Sequence, residues 1–153
     1  MRKLMTGVDA DGGSFLVEVV DLIPTPPVEG GHGVNVARVH VTTDSPPLSG
    51  IPGRGPNVDV RLPPGIARWI VVEHPPYDPD GLPSTSTSIH HTDTFEMVFV
   101  HEGTGELLLQ DGAHPVGTGD LIVMPGVDHA MRGGPDGLTL VVVSIGTGPA
   151  EAS

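Results

Sequence analysis

The feature that most constrains this chain is its punctuation. Apolar runs no longer than a strand are each closed by glycine or proline before a helical period can build. Residues 15–20, 66–73, 95–100, 105–110, 121–124 and 138–145 are the clearest runs, rich in Val, Ile, Leu and Phe, and 34–41 alternates well enough to be another. The 22 glycines and 17 prolines among 153 residues bring the chain near the content of low-complexity sequence. Their placement between the runs argues instead for an all-β domain with many turns. Asp111-Gly112 is a two-residue hairpin signal, and Gly103 supplies the glycine a tight connection between runs 95–100 and 105–110 needs. Strands arriving about every 8–12 residues suggest a sandwich or a barrel.

One domain with a real core suits the length. The expected layout is a single domain over 1–153, with amino-terminal strands at about 15–41 and a core barrel at about 66–146. The Pro- and Gly-rich segment 42–64 is long for a loop in a compact domain, and reads as a lid, a dimer arm or a surface excursion. Net charge is −12, with seven cations (Lys3 and six arginines), which disfavours nucleic acid and anionic membrane surfaces as partners. The absence of cysteine removes disulfides, thiolate nucleophiles and Cys-based zinc sites. No signal-type apolar core and no membrane-length run is present, so the expected location is cytoplasmic.

Chemistry gathers between residues 88 and 132. Along 95–100 the two faces are Phe95/Met97/Phe99 and Glu96/Val98/Val100, and Glu96 is the only charge on either. A carboxylate in an apolar strand is costly unless paired, hydrogen-bonded or metal-bound; the plainer alternative is that it faces water at the strand's start. In a straight strand His90 and Glu96 would stand about 20 Å apart at ~3.3 Å per residue. A turn at Thr92-Asp93-Thr94 would bring them together. His129 follows run 121–124 after Pro125-Gly126, a turn that returns it towards the same place. Two imidazoles and a carboxylate suit a first-row divalent ion with open positions, or catalytic zinc. His91 is the auxiliary candidate, and Asp93 a hydrogen-bond partner for a ligand histidine or simply a turn residue. Arg132 either meets an anionic substrate or pairs with an acid. His101 and His114 read as exposed turn residues and His74 as structural. Trp69, Met97, Phe99 and Met131 are pocket-wall candidates, with core packing as the default. No serine-hydrolase elbow, phosphate loop or dinucleotide fingerprint occurs.

These residues resemble a cupin. Glu96 and Gly103 match the Glu–six–Gly spacing of the first cupin motif, and Gly119 and Pro125 match the Gly–five–Pro spacing of the second, with His129 one residue early. Residues 90–96 and 119–132 are similar to the runs H-R-T-D-T-I-D and G-D-V-V-V-Q-R-G-T-N-H-A-W-R-N of small bacterial single-domain cupins, and 6–12 resembles the start of that group. Departures are specific: one histidine of the usual His-x-His is replaced by Thr92 or Ile89, depending on spacing, and Gly133 stands where asparagine is usual. The resemblance implies a double-stranded β-helix, the cupin or jelly-roll barrel, and a homodimer. It implies His90, Glu96 and His129 as metal ligands for zinc, manganese, nickel or iron, with His91, Glu96 and Arg132 as catalytic candidates.

The function expected from residues and resemblance together is a small-molecule enzyme without redox chemistry: a dehydratase, isomerase, cyclase or decarboxylase. It would work in the barrel pocket with a divalent metal or a His/Glu acid–base pair. The alternatives are an Fe(II)-dependent dioxygenase and a non-catalytic binding cupin. The expected substrate is an organic acid or polyketide-like molecule.

Overall fold

Alternation of buried and exposed side chains along nearly every run makes this an all-β molecule, and no helix occurs among the described residues. The computed structural model describes residues 1–24, 37–77 and 88–148. Seven strands follow in chain order: β1 (Arg2–Val8), β2 (Ser14–Asp21), β3 (Ala67–His74), β4 (Thr94–Leu109), β5 (Gly112–Gly117), β6 (Leu121–Pro125) and β7 (Ala130–Gly146). They form one mixed sheet in the order β2-β1-β6-β4-β7-β3, with β5 added on β4. The pairings are antiparallel except β1 with β6. Bending of β4 and β7 folds the sheet over a core that includes Leu4, Val100, Leu107, Ile122 and Val127, each at most 1% exposed. Each such side chain contributes about 2 kcal/mol by leaving water.

Four sequence expectations change. Segment 95–110 is one bent strand rather than two, and the break expected at residues 101–104 is a corner. Gly103 takes φ +88° there, and the pairing of β4 with β7 shifts register on both sides of it. A glycine in this conformation bends a strand as readily as it reverses one. Likewise Gly137, at φ +83°, sits inside β7, which begins at Ala130 instead of residue 138. Residues 2–8 form a strand that the sequence pattern did not reveal, paired on both sides. Of the strand expected at 34–41, residues 37–41 are not strand, and 34–36 lie outside the described residues. His40 instead stacks on Phe95 with ring centroids 5.0 Å apart.

Segment 42–64 is irregular but strapped down. Asn57 bridges His91, Pro64 bridges Gly146 and Leu48 bridges Gly148. The strap thus runs past the chain between β3 and β4 and past the end of β7.

Candidate active site in the barrel cavity

Three neighbouring strands bring their inner faces to one place. Glu96 on β4 lies in register with Ser144 on β7, which lies in register with Arg68 on β3. One step along, Val98, Val142 and Ile70 repeat the pattern. Directly paired residues point the same way, so these rows face the barrel interior. There they border a cavity of about 260 Å³, walled by Ile70, Val72, Val98, Met131 and Val142 among others. Its polar lining is His74, His90, Glu96 and His129.

A bend at Asp93 separates His90 from β4. Before it, His90 and His129 exchange both backbone hydrogen bonds as an antiparallel bridge (3.0 and 2.8 Å), and their rings stand 5.0 Å apart. His90 Nδ1 lies 3.0 Å from the Ser88 carbonyl and His129 Nδ1 lies 2.8 Å from the Val127 carbonyl. A carbonyl can only accept, so each Nδ1 carries a hydrogen and each Nε2 is the nitrogen left to face the cavity. His129 Nε2 stands 3.7 Å from Glu96 Oε2. Burial pushes the His129 imidazole below its ordinary value, outweighing the pull of Glu96 and the Val127 carbonyl, so the ring is neutral near pH 7.

Glu96 is buried and held from one side. Thr94 donates to its Oε1 at 3.2 Å and Ser144 donates to the same atom at 3.1 Å. Thr94 accepts in turn from Thr92 at 2.6 Å, so the polar residues around the bend form a donor chain ending on the carboxylate. This leaves Oε2 for the cavity. Of the two readings of Glu96, the water-facing one fails: the residue is 9% exposed.

His91 belongs elsewhere. Successive residues of an extended chain face opposite sides, and where His90 lines the cavity, His91 Nδ1 meets Asp128 Oδ1 at 3.1 Å beneath the strap. Asp128 is fully buried and also accepts from Gln110 Nε2 (2.6 Å) and the Gly55 backbone (2.7 Å). Burial pushes its carboxyl up, but these hydrogen bonds, with those of the Arg54 backbone and His91, bring it below its ordinary value. A Cβ on Gly53 would stand 2.1 Å from Asp128 Oδ1, so glycine is what lets the strap come this close. The structure thus places His91, a catalytic candidate from the sequence, outside the cavity and against Asp128.

Arg132 also lies outside this cavity. Its neighbour Met131 enters the cavity, so Arg132 points outward, where its Nε donates to Glu106 at 2.7 Å and its guanidinium covers the Tyr77 ring at 4.9 Å. Asp93 accepts from Asn57, not from a cavity histidine. Trp69 is 78% exposed and, with Met97 and Phe99, borders an apolar groove on the outer face. His101 is exposed, and His114 bonds Asp111 at 2.6 Å. Sequence reading missed Ser144, Thr94, Asp128 and the cavity position of His74, whose burial lowers its pKa. The shared parity of Arg68, Ile70, Val72 and His74 was the available signal for the last.

The donors suit a divalent cation in kind, because each histidine has Nδ1 tied to a carbonyl and Nε2 spare. They do not suit it in spacing: among the described residues no three His, Asp or Glu side chains stand close enough together to hold an ion. What the side chains do form is a buried imidazole–carboxylate pair, His129 with Glu96, in an apolar chamber.

Two comparisons bear on this arrangement. The family model described as a cupin domain matches residues 79–146, which contain β4 to β7 and three of the four polar cavity residues. A search of curated proteins gave no match.

Proposed function

Residues 79–146 are a cupin domain, and on that premise we propose that the chain is a small-molecule enzyme without redox chemistry. In this reading His129 and Glu96 move a proton on a ligand held in the inner cavity. One observation carries it: a neutral imidazole and a carboxylate, both at most 9% exposed, lie 3.7 Å apart in an otherwise mostly apolar chamber. Such a pair costs stability where it stands, which argues for use.

His129 Nε2 is the base. It takes a proton from a carbon next to a carbonyl, and the resulting imidazolium is stabilised by Glu96 across the gap. Thr94 and Ser144 hold the carboxylate so that it need not reorganise as the charge develops. Apolar walls keep water from screening that interaction. Returning the proton to a different carbon gives isomerisation; expelling a hydroxyl from the neighbouring carbon, with the proton leaving as water, gives dehydration. A second copy of the chain is the partner this reading assigns to the outer groove. Among the described residues no carboxylate lines that groove, so two chains of charge −12 can meet there without those acids opposed.

The test is deuterium exchange. Enolisable keto acids (2-oxobutanoate, levulinate and phenylpyruvate) are incubated with the protein in D2O containing EDTA, and loss of the α-proton is followed by NMR. The wild type is expected to accelerate exchange of at least one. Glu96→Gln and His129→Asn should each lower that rate about 100-fold or more. Binding without exchange would make the chain a binding module instead. Exchange abolished by EDTA and restored by a metal, or oxygen consumption with iron, would replace the acid–base reading.

A further inference from the structure

The strand that supplies the apolar wall also carries a cation that meets no acid among the described residues. Along β3 the inward residues are Arg68, Ile70, Val72 and His74; the last three line the cavity, and Arg68 is the next inward rung beyond Ile70. In register, Arg68 neighbours Ser144, whose hydroxyl donates to Glu96. Arg68 therefore stands two strands from Glu96 in the same row, about 10 Å away at the Cα level.

Its bonding is incomplete. The Nε of Arg68 is buried and has no hydrogen-bond partner, and its Nη1 reaches only the Val60 carbonyl, at 3.5 Å. That is the outer limit of a hydrogen bond. The chain has 19 acids for seven cations. Arg2 pairs with Asp120, Lys3 with Glu18, Arg54 with Asp9 and Arg132 with Glu106. Among the described residues Arg38, Arg61 and Arg68 make no such pair; Arg38 and Arg61 are exposed, whereas the Arg68 Nε is buried. A buried guanidinium donor left unmet is expensive, and a planar fork of donors is shaped for a carboxylate.

We propose that Arg68 binds the carboxylate of a small organic acid, whose remaining carbons fill the apolar chamber towards His129 and Glu96. This rests on the reading of the cavity as a small-molecule site and names the class of molecule it takes. The ligand's anionic end sits on β3 and its reacting end beside the imidazole–carboxylate pair. Arg68 fixes orientation, and a neutral analogue lacks the group that would satisfy it.

The probes are benzoate and its uncharged isostere benzamide, titrated into methyl-labelled protein while the Ile70, Val98 and Val142 methyl signals are followed. In the wild type, benzoate should shift these methyls and bind about tenfold or more tightly than benzamide. Arg68→Gln should bind both equally weakly, and Arg68→Lys should keep part of the preference. A purely structural Arg68 would change melting temperature without changing that preference. Benzamide binding the wild type as tightly as benzoate overturns the proposal without any variant. So does an undiminished preference in Arg68→Gln, or an absence of methyl shifts with either probe. Failure of the catalytic reading is seen separately: Glu96→Gln and His129→Asn would leave deuterium exchange unchanged while the benzoate preference persisted.

Discussion

The two faces of the sheet formed by β3, β7, β4 and β6 share a backbone and differ in everything else. The outer face carries Trp69, Met97, Phe99, Val123, Val141 and Val143, an apolar surface beside a groove of about 400 Å³. The inner face interleaves Arg68, Ser144 and Glu96 with Ile70, Val142 and Val98, and of these Glu96, Ile70, Val142 and Val98 line a chamber shared with His90 and His129. A single residue step moves a side chain from one world to the other. The adjacent histidines show the same rule at smaller scale, since His90 reaches the chamber and His91 the strap. Polar groups on the two sides of that step accordingly do different work: those at Asp128 hold the chain together, while those at Glu96 hold one carboxylate oxygen and leave the other beside His129.

The comparison breaks if Asp128 matters to ligand chemistry or Glu96 mainly to stability. The largest expected effect is on stability: Asp128→Ala strips acceptors from Gln110, Gly55 and His91 at a fully buried site. It should cost roughly 3 kcal/mol, or about 10 °C in melting temperature. Benzoate affinity of the folded fraction should be unchanged.

Next comes the outer face. Phe99→Glu puts a charge into the groove and should weaken the proposed self-association about 100-fold or more, so that the variant sediments as a monomer where the wild type is expected to sediment as a dimer, with deuterium exchange per chain retained. An unchanged sedimentation coefficient would remove the second copy from that face.

The smallest effect is on pH dependence. His74 and His129 are held below the ordinary imidazole value of 6.5, chiefly by burial. The unfolded chain therefore binds protons on these rings before the folded chain does, so stability is complete above about pH 6.5 and is lost as pH falls below it towards the lowered folded values. His74→Gln should flatten part of that decline in chemical-denaturation curves between pH 7 and 5. An identical slope in the variant would remove His74 from the account.

The two faces were legible in the sequence because alternation is local. Glu96 on the face opposite Phe95 and Met97 left two readings, inward or water-facing, and the polar residues 92–94 were the place where a bend would decide between them. Corners were not legible, because Gly103 and Gly137 look the same whether a strand turns back or merely bends. Nor was the company Glu96 keeps: Ser144 reaches its row through a pairing 48 positions apart in sequence, and Arg68 through its pairing with Ser144, 76 positions apart. Asp128 and His129 are adjacent, and no local pattern tells which faces the strap and which the chamber. The same holds for His90, the preferred ligand candidate, and His91, the auxiliary one: only the strap's contact with Asp128 separates their surroundings.

The central claim is that Glu96 and His129 share one chamber from which His91 is excluded. Long-range proton–nitrogen spectra of the imidazole rings, compared between wild type and Glu96→Gln at pH 7, test it directly. The expected result is His129 with its hydrogen on Nδ1, its Nε2 signal displaced by the substitution and the His91 signals unmoved. An unmoved His129, or a displacement at His91 instead, would contradict it.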